Sequence, residues 1–312
     1  MPAPERVPEV GLIAPGSGRD GIGAADVLLR GELTVRGQIR EASNAVLYCE
    51  AVYEGRTLAC VYKPVAGERP LWDFPDGTLA QREVAAYLVS EATGWGLVPP
   101  TVLRDGPYGE GMVQLWIDVA PDDSEGDGED ASGTEDASGG DGTGGSGGSG
   151  DGGDGPLLAL TEDTEPAPGW KAVVEAEVGE GRRALLVHAD DIRLRRLAVL
   201  DAVINNADRK GGHLLPALDG RLYGIDHGVT FHTEDKLRTL LWGWAGEPLP
   251  AEARPVLDAL AAQLDGALGA RLGELLTAAE TDALRARVRH LRESGKHPEP
   301  SGDWPSIPWP PV

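Results

Sequence analysis

Two short runs hold the side chains of this chain best suited to chemistry: Asn205-Asn206-Ala207-Asp208-Arg209-Lys210-Gly211-Gly212-His213 and, a little later, Gly224-Ile225-Asp226-His227-Gly228. The first gathers an acid, two bases, a histidine and paired glycines. The second sets another acid in an Asp-x-Gly turn. Two separately placed carboxylates suit phosphoryl transfer, in which the γ-phosphoryl group passes through a loose transition state and the protein mostly positions reactants and neutralises charge. One carboxylate must face the attacking hydroxyl, a role open to Asp208. The other must hold the metal ion that bridges the phosphates, helped by a neutral ligand. Asp226 suits that role, with His213, five residues after Asp208, as its neighbour. Asn206 offers a second way to complete the metal or phosphate shell, and Arg209 and Lys210 are cations that suit a transferring phosphoryl group or an ordinary surface ion pair.

The run Asp208-Arg209-x-x-x-His213, with Asp226-His227-Gly228 eighteen residues after Asp208, resembles the Asp-Arg-His-x-x-Asn and Asp-Phe-Gly pair of phosphoinositide 3/4-kinases. It is similar to the HipA-type protein kinases in the same region, and to an actinobacterial group of phosphoinositide-kinase-like proteins over most of the chain outside its ends and an acidic insert. The resemblance implies an α+β fold of two protein-kinase-like lobes of the phosphoinositide-kinase type, with an antiparallel-sheet N-lobe and a mainly helical C-lobe. It implies ATP and Mg²⁺ or Mn²⁺ as cofactors, and transfer of the γ-phosphate to a hydroxyl of a protein or small-molecule acceptor. Two departures from the pattern matter: His213 replaces the Asn, and His227 replaces the aromatic residue between Asp and Gly. An imidazole suits Mn²⁺ or softer metals better than Mg²⁺.

The elements that must position these groups can be sought upstream. Apolar and polar residues alternate in Leu33-Thr34-Val35, in residues 45–52 and in residues 57–62, the period of half-buried strands; three antiparallel strands are expected. The break at residues 40–44 places Ser43 and Asn44 where hydroxyl, amide and backbone N–H donors can meet phosphate oxygens. With a two-residue turn at Glu54-Gly55, Lys63 ends the third strand on a face shared with Ala59, Val61, Val46 and Tyr48, apolar except for the lysine. The resemblance makes Lys63 the ATP-phosphate lysine. Its partner is expected from the helix that opens at Thr78 and stops at Gly94, where Glu83 is the candidate. Gly111-Met112-Val113-Gln114-Leu115-Trp116-Ile117 resembles the strand and hinge that line an adenine pocket, with Gln114, Leu115 and Trp116 as cofactor-binding residues.

Downstream, an apolar stripe over residues 192–204 behind Asp190-Asp191 predicts a capped helix that delivers Asp208. Leu214-Leu215 and Leu222-Tyr223 predict a hairpin around Asp219-Gly220. Residues 231–244, with Lys236, Arg238, Trp242 and Trp244, are the expected docking segment for substrate. Leucines at helical spacing continue to about Ser294.

Each residue alone has a plainer reading. Asp208-Arg209 can be a cap or ion pair, Asp226-His227-Gly228 an ordinary turn, Lys63 a snorkelling strand-end lysine, and Glu83 part of a solvated helix face. The order of lysine strand, glutamate helix, hinge strand, acidic loop and second acid favours the kinase reading. Three rivals remain: a pseudokinase that binds nucleotide without turnover, an interaction protein with a relict cleft, and an enzyme that transfers AMP.

With 51 acids against 28 Lys and Arg, the 312 residues carry a formal charge of −23. Eleven of the acids and none of the bases fall between Pro121 and Gly155, in a Gly/Ser-rich stretch too poor in apolar residues to fold. The division expected is a disordered N-terminus (1–26), an N-lobe (27–120), a disordered acidic insert (121–168), a C-lobe (169–298) and a Pro/Trp-rich tail (299–312). The insert or tail is a candidate site for a partner. The acidic remainder disfavours nucleic acid and a phosphoinositide-rich membrane surface, and no run is long and apolar enough for a transmembrane segment. Cytoplasm is the expected location, and Cys49 and Cys60, equidistant from the Glu54-Gly55 turn, should sit opposite each other on neighbouring strands, as two buried thiols in a cytosolic protein, with a cross-strand disulfide as the alternative.

Overall fold

The computed structural model describes residues 22–39, 45–69, 71–74, 78–119, 155–177, 181–302 and 305–311. The first half forms a short helix α1 (Ala24–Arg30), strands β1 (Glu32–Ile39), β2 (Val46–Tyr53) and β3 (Arg56–Pro64), helix α2 (Leu79–Thr93), and strands β4 (Thr101–Gly106) and β5 (Gly109–Leu115). The five strands make one antiparallel sheet in the order β1-β2-β3-β5-β4. Glu54 and Gly55 both have positive φ, 46° and 78°, the backbone of a two-residue hairpin whose twist matches the strands. That turn fixes the register, so Cys49 stands opposite Cys60 as expected. Both are free and buried, and burial pushes the thiols up to about 11 and about 12, respectively.

Alternation divides the sheet into two faces. Cys49, Ala51, Cys60, Tyr62, Val113 and Leu115 pack with Val27 and Leu28 of α1. Lys63, Val61 and Ala59 point the other way, and Met112 on that side meets Ala80 and Val84 of α2. The start of α2 is held by Glu68, whose carboxylate accepts from the N–H groups of Leu79 (3.2 Å) and Ala80 (2.8 Å). Gly94 ends the helix in the left-handed region at φ 71°, which glycine adopts without steric cost.

The second half contains β6 (Leu158–Thr161), β7 (Trp170–Glu177), β8 (Arg183–Ala189), α3 (Ile192–Ile204), β9 (Leu214–Pro216), β10 (Leu222–Gly224), α4 (Ala253–Leu264), α5 (Ala267–Leu272) and α6 (Ala278–Ser294). Helix α3 runs through the centre. Asp191 caps it by accepting from the Arg193 N–H at 2.6 Å, and Leu194, Leu197, Leu200 and Ile204 are fully buried. They share a core with Ala85, Ala86 and Val89 of α2, Leu257, Leu260 and Leu264 of α4, and Leu284, Val288 and Leu291 of α6. Helix α2 therefore contributes to both halves, which ties the Glu83 helix to the loop that follows α3.

Two boundaries and one element differ from expectation. Helix α1 starts at Ala24, inside the stretch expected to lack structure, because its Val27 and Leu28 are needed to cover one sheet face. Residues 155–168 belong to the stretch expected as acidic insert, yet Leu158–Thr161 pairs with β8; its apolar content departs from the acidic composition just before it. The mainly helical half also carries the antiparallel sheet β6-β8-β7. The rest of that insert up to residue 154, and the first 21 residues, lie outside the described residues. Among the described residues no helix is long and apolar enough to cross a membrane.

The described part of the tail lies on the protein itself. The Ser306 carbonyl accepts from Thr239 N–H (3.0 Å) and Trp242 Nε1 (2.8 Å), and the Pro311 carbonyl accepts from Gly211 N–H (2.9 Å). Trp304 lies outside the described residues.

Candidate functional site

Helix α3 ends at Asn205, a non-glycine residue at φ 55°, and there the chain turns back toward the sheet. Its side-chain amide donates to the carbonyls of His232 (2.9 Å) and Glu234 (2.6 Å) while its oxygen accepts from Lys236 N–H (3.0 Å). These bonds offset the cost of the left-handed backbone and staple the loop to the segment beyond Asp226. Asn206 is fully buried; it donates to Asp201 Oδ1 (2.9 Å) and accepts from the Asp208 N–H (3.0 Å). Its polar atoms are thus spent inside the protein, and it does not serve as the metal or phosphate ligand considered from the sequence.

Neighbouring residues of the loop go opposite ways. Arg209 is wholly enclosed, with Nε and Nη2 on Asp201 (2.9 and 2.8 Å), Nη1 on the Ile225 carbonyl (3.0 Å) and Nη2 also on His227 Nε2 (2.7 Å). It is a structural cation and is not free to neutralise a phosphoryl group. The Asp208 carboxylate keeps 29% of its surface and pairs with Lys210 Nζ at 3.1 Å.

The hairpin β9–β10 carries the chain back to Asp226, another non-glycine residue with positive φ, 62°. Its half-exposed carboxylate meets Lys63 Nζ at 2.8 Å through Oδ1 and His213 Nε2 at 3.4 Å through Oδ2. Lys63 also bonds Glu83 Oε1 at 2.8 Å, and Glu83 Oε2 accepts from the His227 N–H at 2.9 Å. The structure thus brings together Lys63, Glu83, His213 and Asp226. Burial would lower the Lys63 pKa, but the carboxylates of Asp226 and Glu83 outweigh it and hold the ammonium above its usual range. The same ammonium, assisted by His213, holds Asp226 well below the ordinary carboxylate range. Burial lowers His213, which Asp226 partly opposes, and lowers His227 much further, with Arg209 adding to it.

The hinge residues divide. Gln114 is 5% exposed and donates to Thr101 Oγ1 at 2.9 Å on the α2 side of the sheet. Leu115 faces the α1 core, across the sheet from Lys63, so its side chain does not line the expected nucleotide side. Trp116 is partly exposed and its ring stands edge-on to Tyr48, centroids 5.1 Å apart; Tyr48, opposite Val61, makes an aromatic corner on the Lys63 face. Ser43 and Asn44 lie outside the described residues. In the expected docking segment, Trp244 is enclosed and Lys236 nearly so, and Arg238 and Trp242 bond the tail, so these four serve packing.

Among the described residues no three His, Cys, Asp or Glu side chains converge as a metal cage. Asp226 and His213 are two donors on one side of the cluster, and a small hard cation commonly takes one or two protein ligands and completes its shell with phosphate oxygens and water. With one carboxylate and one imidazole, the donor set fits Mn²⁺ better than Mg²⁺. An open hollow of about 250 Å³ lined by Gly246, His290, Ser294, Lys296, His297, Pro298 and Glu299 shares no residue with the cluster. Asp201 escaped the sequence reading; the signal was an acid inside the otherwise apolar run Leu200-Asp201-Ala202-Val203-Ile204.

No family model matches the chain. It is 50% identical over 285 residues to Protein Rv2133c of Mycobacterium tuberculosis (strain ATCC 25618 / H37Rv), covering 91% of this chain and 94% of that protein. Among solved structures, the Golgi casein kinase and the same kinase with Mn/ADP bound are each 12% identical, with TM-scores of 0.41 and 0.43, covering 86% of this chain and 73% of theirs. Overlap that loose carries no functional assignment.

Proposed function

The chain belongs to the family of Protein Rv2133c, and for this member we propose an ATP-dependent phosphotransferase that moves the γ-phosphate to a hydroxyl of a protein or small-molecule acceptor. The observation that carries the reading is one ammonium, Lys63 Nζ, bonded at 2.8 Å to both Glu83 and Asp226, with the partly exposed Asp208 on the loop that also supplies His213. A strand, a helix and a loop far apart in sequence converge on one lysine. ATP and a divalent cation, when bound, supply the phosphoryl group and neutralise its charge. Asp226, with His213, would hold the cation. Lys63 would contact the phosphates, Glu83 keeps Lys63 in place, and Asp208 would accept or orient the proton of the acceptor hydroxyl. The phosphoinositide-kinase type is part of the proposal for the fold; the net acidity leaves a protein or metabolite hydroxyl favoured over a lipid headgroup.

One observation favours a second reading, nucleotide binding without turnover: Asp226 Oδ1 is already taken by Lys63. The experiment that separates the two is incubation of the full chain with ATP and Mg²⁺ or Mn²⁺, followed by intact mass and nucleotide analysis, alongside Asp208→Ala. ADP formation or a phosphate-sized mass gain, lost in the variant, supports phosphotransfer. Bound but unconverted ATP with either metal supports the second reading, and an AMP-sized gain overturns both.

A further inference from the structure

A guanidinium offers only donors and stays charged in proteins, so the 2.7 Å contact between Arg209 Nη2 and His227 Nε2 requires a lone pair on that ring nitrogen. The ring proton therefore sits on Nδ1, which is buried without a hydrogen-bond partner among the described residues, 4.0 Å from Glu83 Oε2. His227 is a neutral imidazole of one fixed tautomer, fully enclosed, and its accepting atom is committed to Arg209.

Bonds run from it in two directions. Toward the sheet, its backbone N–H reaches Glu83 Oε2 (2.9 Å), and Glu83 Oε1 holds Lys63 (2.8 Å). Toward the loop, Arg209 grips Asp201 with two bonds (2.9 and 2.8 Å), Asp201 Oδ1 accepts from Asn206 Nδ2 (2.9 Å), and Asn206 Oδ1 accepts from the Asp208 N–H (3.0 Å). Lys63 and Asp208 are thus joined through residues that solvent barely reaches, where a bond lost is not replaced by water.

We infer that His227 and Asp201 are positioning residues that fix the placement of Asp208 relative to Lys63, His227 by giving Arg209 an acceptor that an aromatic hydrocarbon ring lacks. The kinetic part of this inference rests on the phosphotransfer reading; the structural part does not.

The test compares His227→Phe with His227→Gln in the full chain, since glutamine can set a carbonyl oxygen near the position of Nε2. Two quantities are read: amide hydrogen exchange at residues 206–209 without nucleotide, and kcat and KM for ATP with Mn²⁺. The expected result for His227→Phe is exchange on the order of tenfold faster and kcat lower by roughly 10- to 100-fold, with KM within about threefold. His227→Gln recovers most of both. Wild-type exchange and kcat in His227→Phe, or a glutamine variant as impaired as the phenylalanine one, overturns the inference. If the wild type forms no ADP while exchange follows the expected pattern, the phosphotransfer reading falls and the positioning assignment stands. Should His227→Phe fail to fold, Arg209→Lys reads the same link, because an ammonium cannot span Asp201 and His227 together. Unchanged exchange in that variant also overturns the inference.

Discussion

Arg209 and Lys63 each hold an aspartate at 2.8 Å, but in opposite surroundings. The side chains of Arg209 and Asp201 are fully enclosed, whereas those of Lys63 and Asp226 keep 23% and 50% of their surface. Desolvation makes the first pair useful only while it stays intact, because either partner left alone is a buried charge. Partners of the second pair can be exchanged for water, phosphate or a cation at small cost. Distance therefore does not tell a structural ion pair from a functional one here; enclosure does. The adjacent residues Asp208 and Arg209 fall on opposite sides of that division.

Removing one carboxylate from each pair gives the largest expected effect. Asp201→Ala should lose about 3–5 kcal/mol of unfolding free energy, since it strands the Arg209 guanidinium. Asp226→Ala should cost clearly less than that, because Lys63 keeps Glu83 and the lost carboxylate is half open to solvent, yet it should abolish ADP formation. Urea unfolding and nucleotide turnover on both variants check the pair. Similar stability losses would break the contrast, and unchanged turnover in Asp226→Ala would sink the metal assignment.

Enclosure also sets a pH response. His297 is 5% exposed beside Trp244, and burial brings its pKa down to about 4. Between pH about 6.5 and about 4 the unfolded chain binds a proton there that the folded chain refuses, so the contribution is complete above about 6.5 and fades as pH falls through the window, by up to about 3 kcal/mol. His297→Gln should flatten this part of the stability profile measured by urea unfolding. An unchanged slope would mean that the enclosed ring does not resist protonation.

The sequence made the strands and helices around the cluster legible for local reasons. Glu54-Gly55 imposes a hairpin, Asp191 and Gly94 mark helix ends, and leucine spacing reveals which face is buried. Residues 158–161 were missed because four residues beside a long acidic stretch carry too little pattern to stand out. The convergence of Lys63, Glu83, His213 and Asp226 was anticipated from order along the chain and resemblance. The fates of Arg209, Asn206 and Leu115 were not legible, because residue type and spacing do not state which way a side chain faces or whether a neighbouring helix encloses it. Asp201 shows the same limit: one acid in an apolar helix signals a buried partner but does not say which of several nearby cations it is.

Lys210 provides the smallest expected effect and the finest test of enclosure. Its ammonium lies 3.1 Å from Asp208, with 24% and 29% of the two side chains exposed, so the lysine is as open as Lys63 while its aspartate is more enclosed than Asp226. Once Arg209 is committed to Asp201, Lys210 is the cation of this loop left beside the proposed catalytic carboxylate. Partial exposure lets water replace either partner, so Lys210→Met should lower unfolding free energy by less than about 1 kcal/mol. What difference remains should shrink further in about 1 M salt, where the screening length is roughly 3 Å. Urea unfolding at low and high salt measures both quantities. A loss as large as that of Asp201→Ala, insensitive to salt, would mean that the loop charges act as one enclosed network, with Asp208 held too firmly to exchange its ammonium for an acceptor hydroxyl.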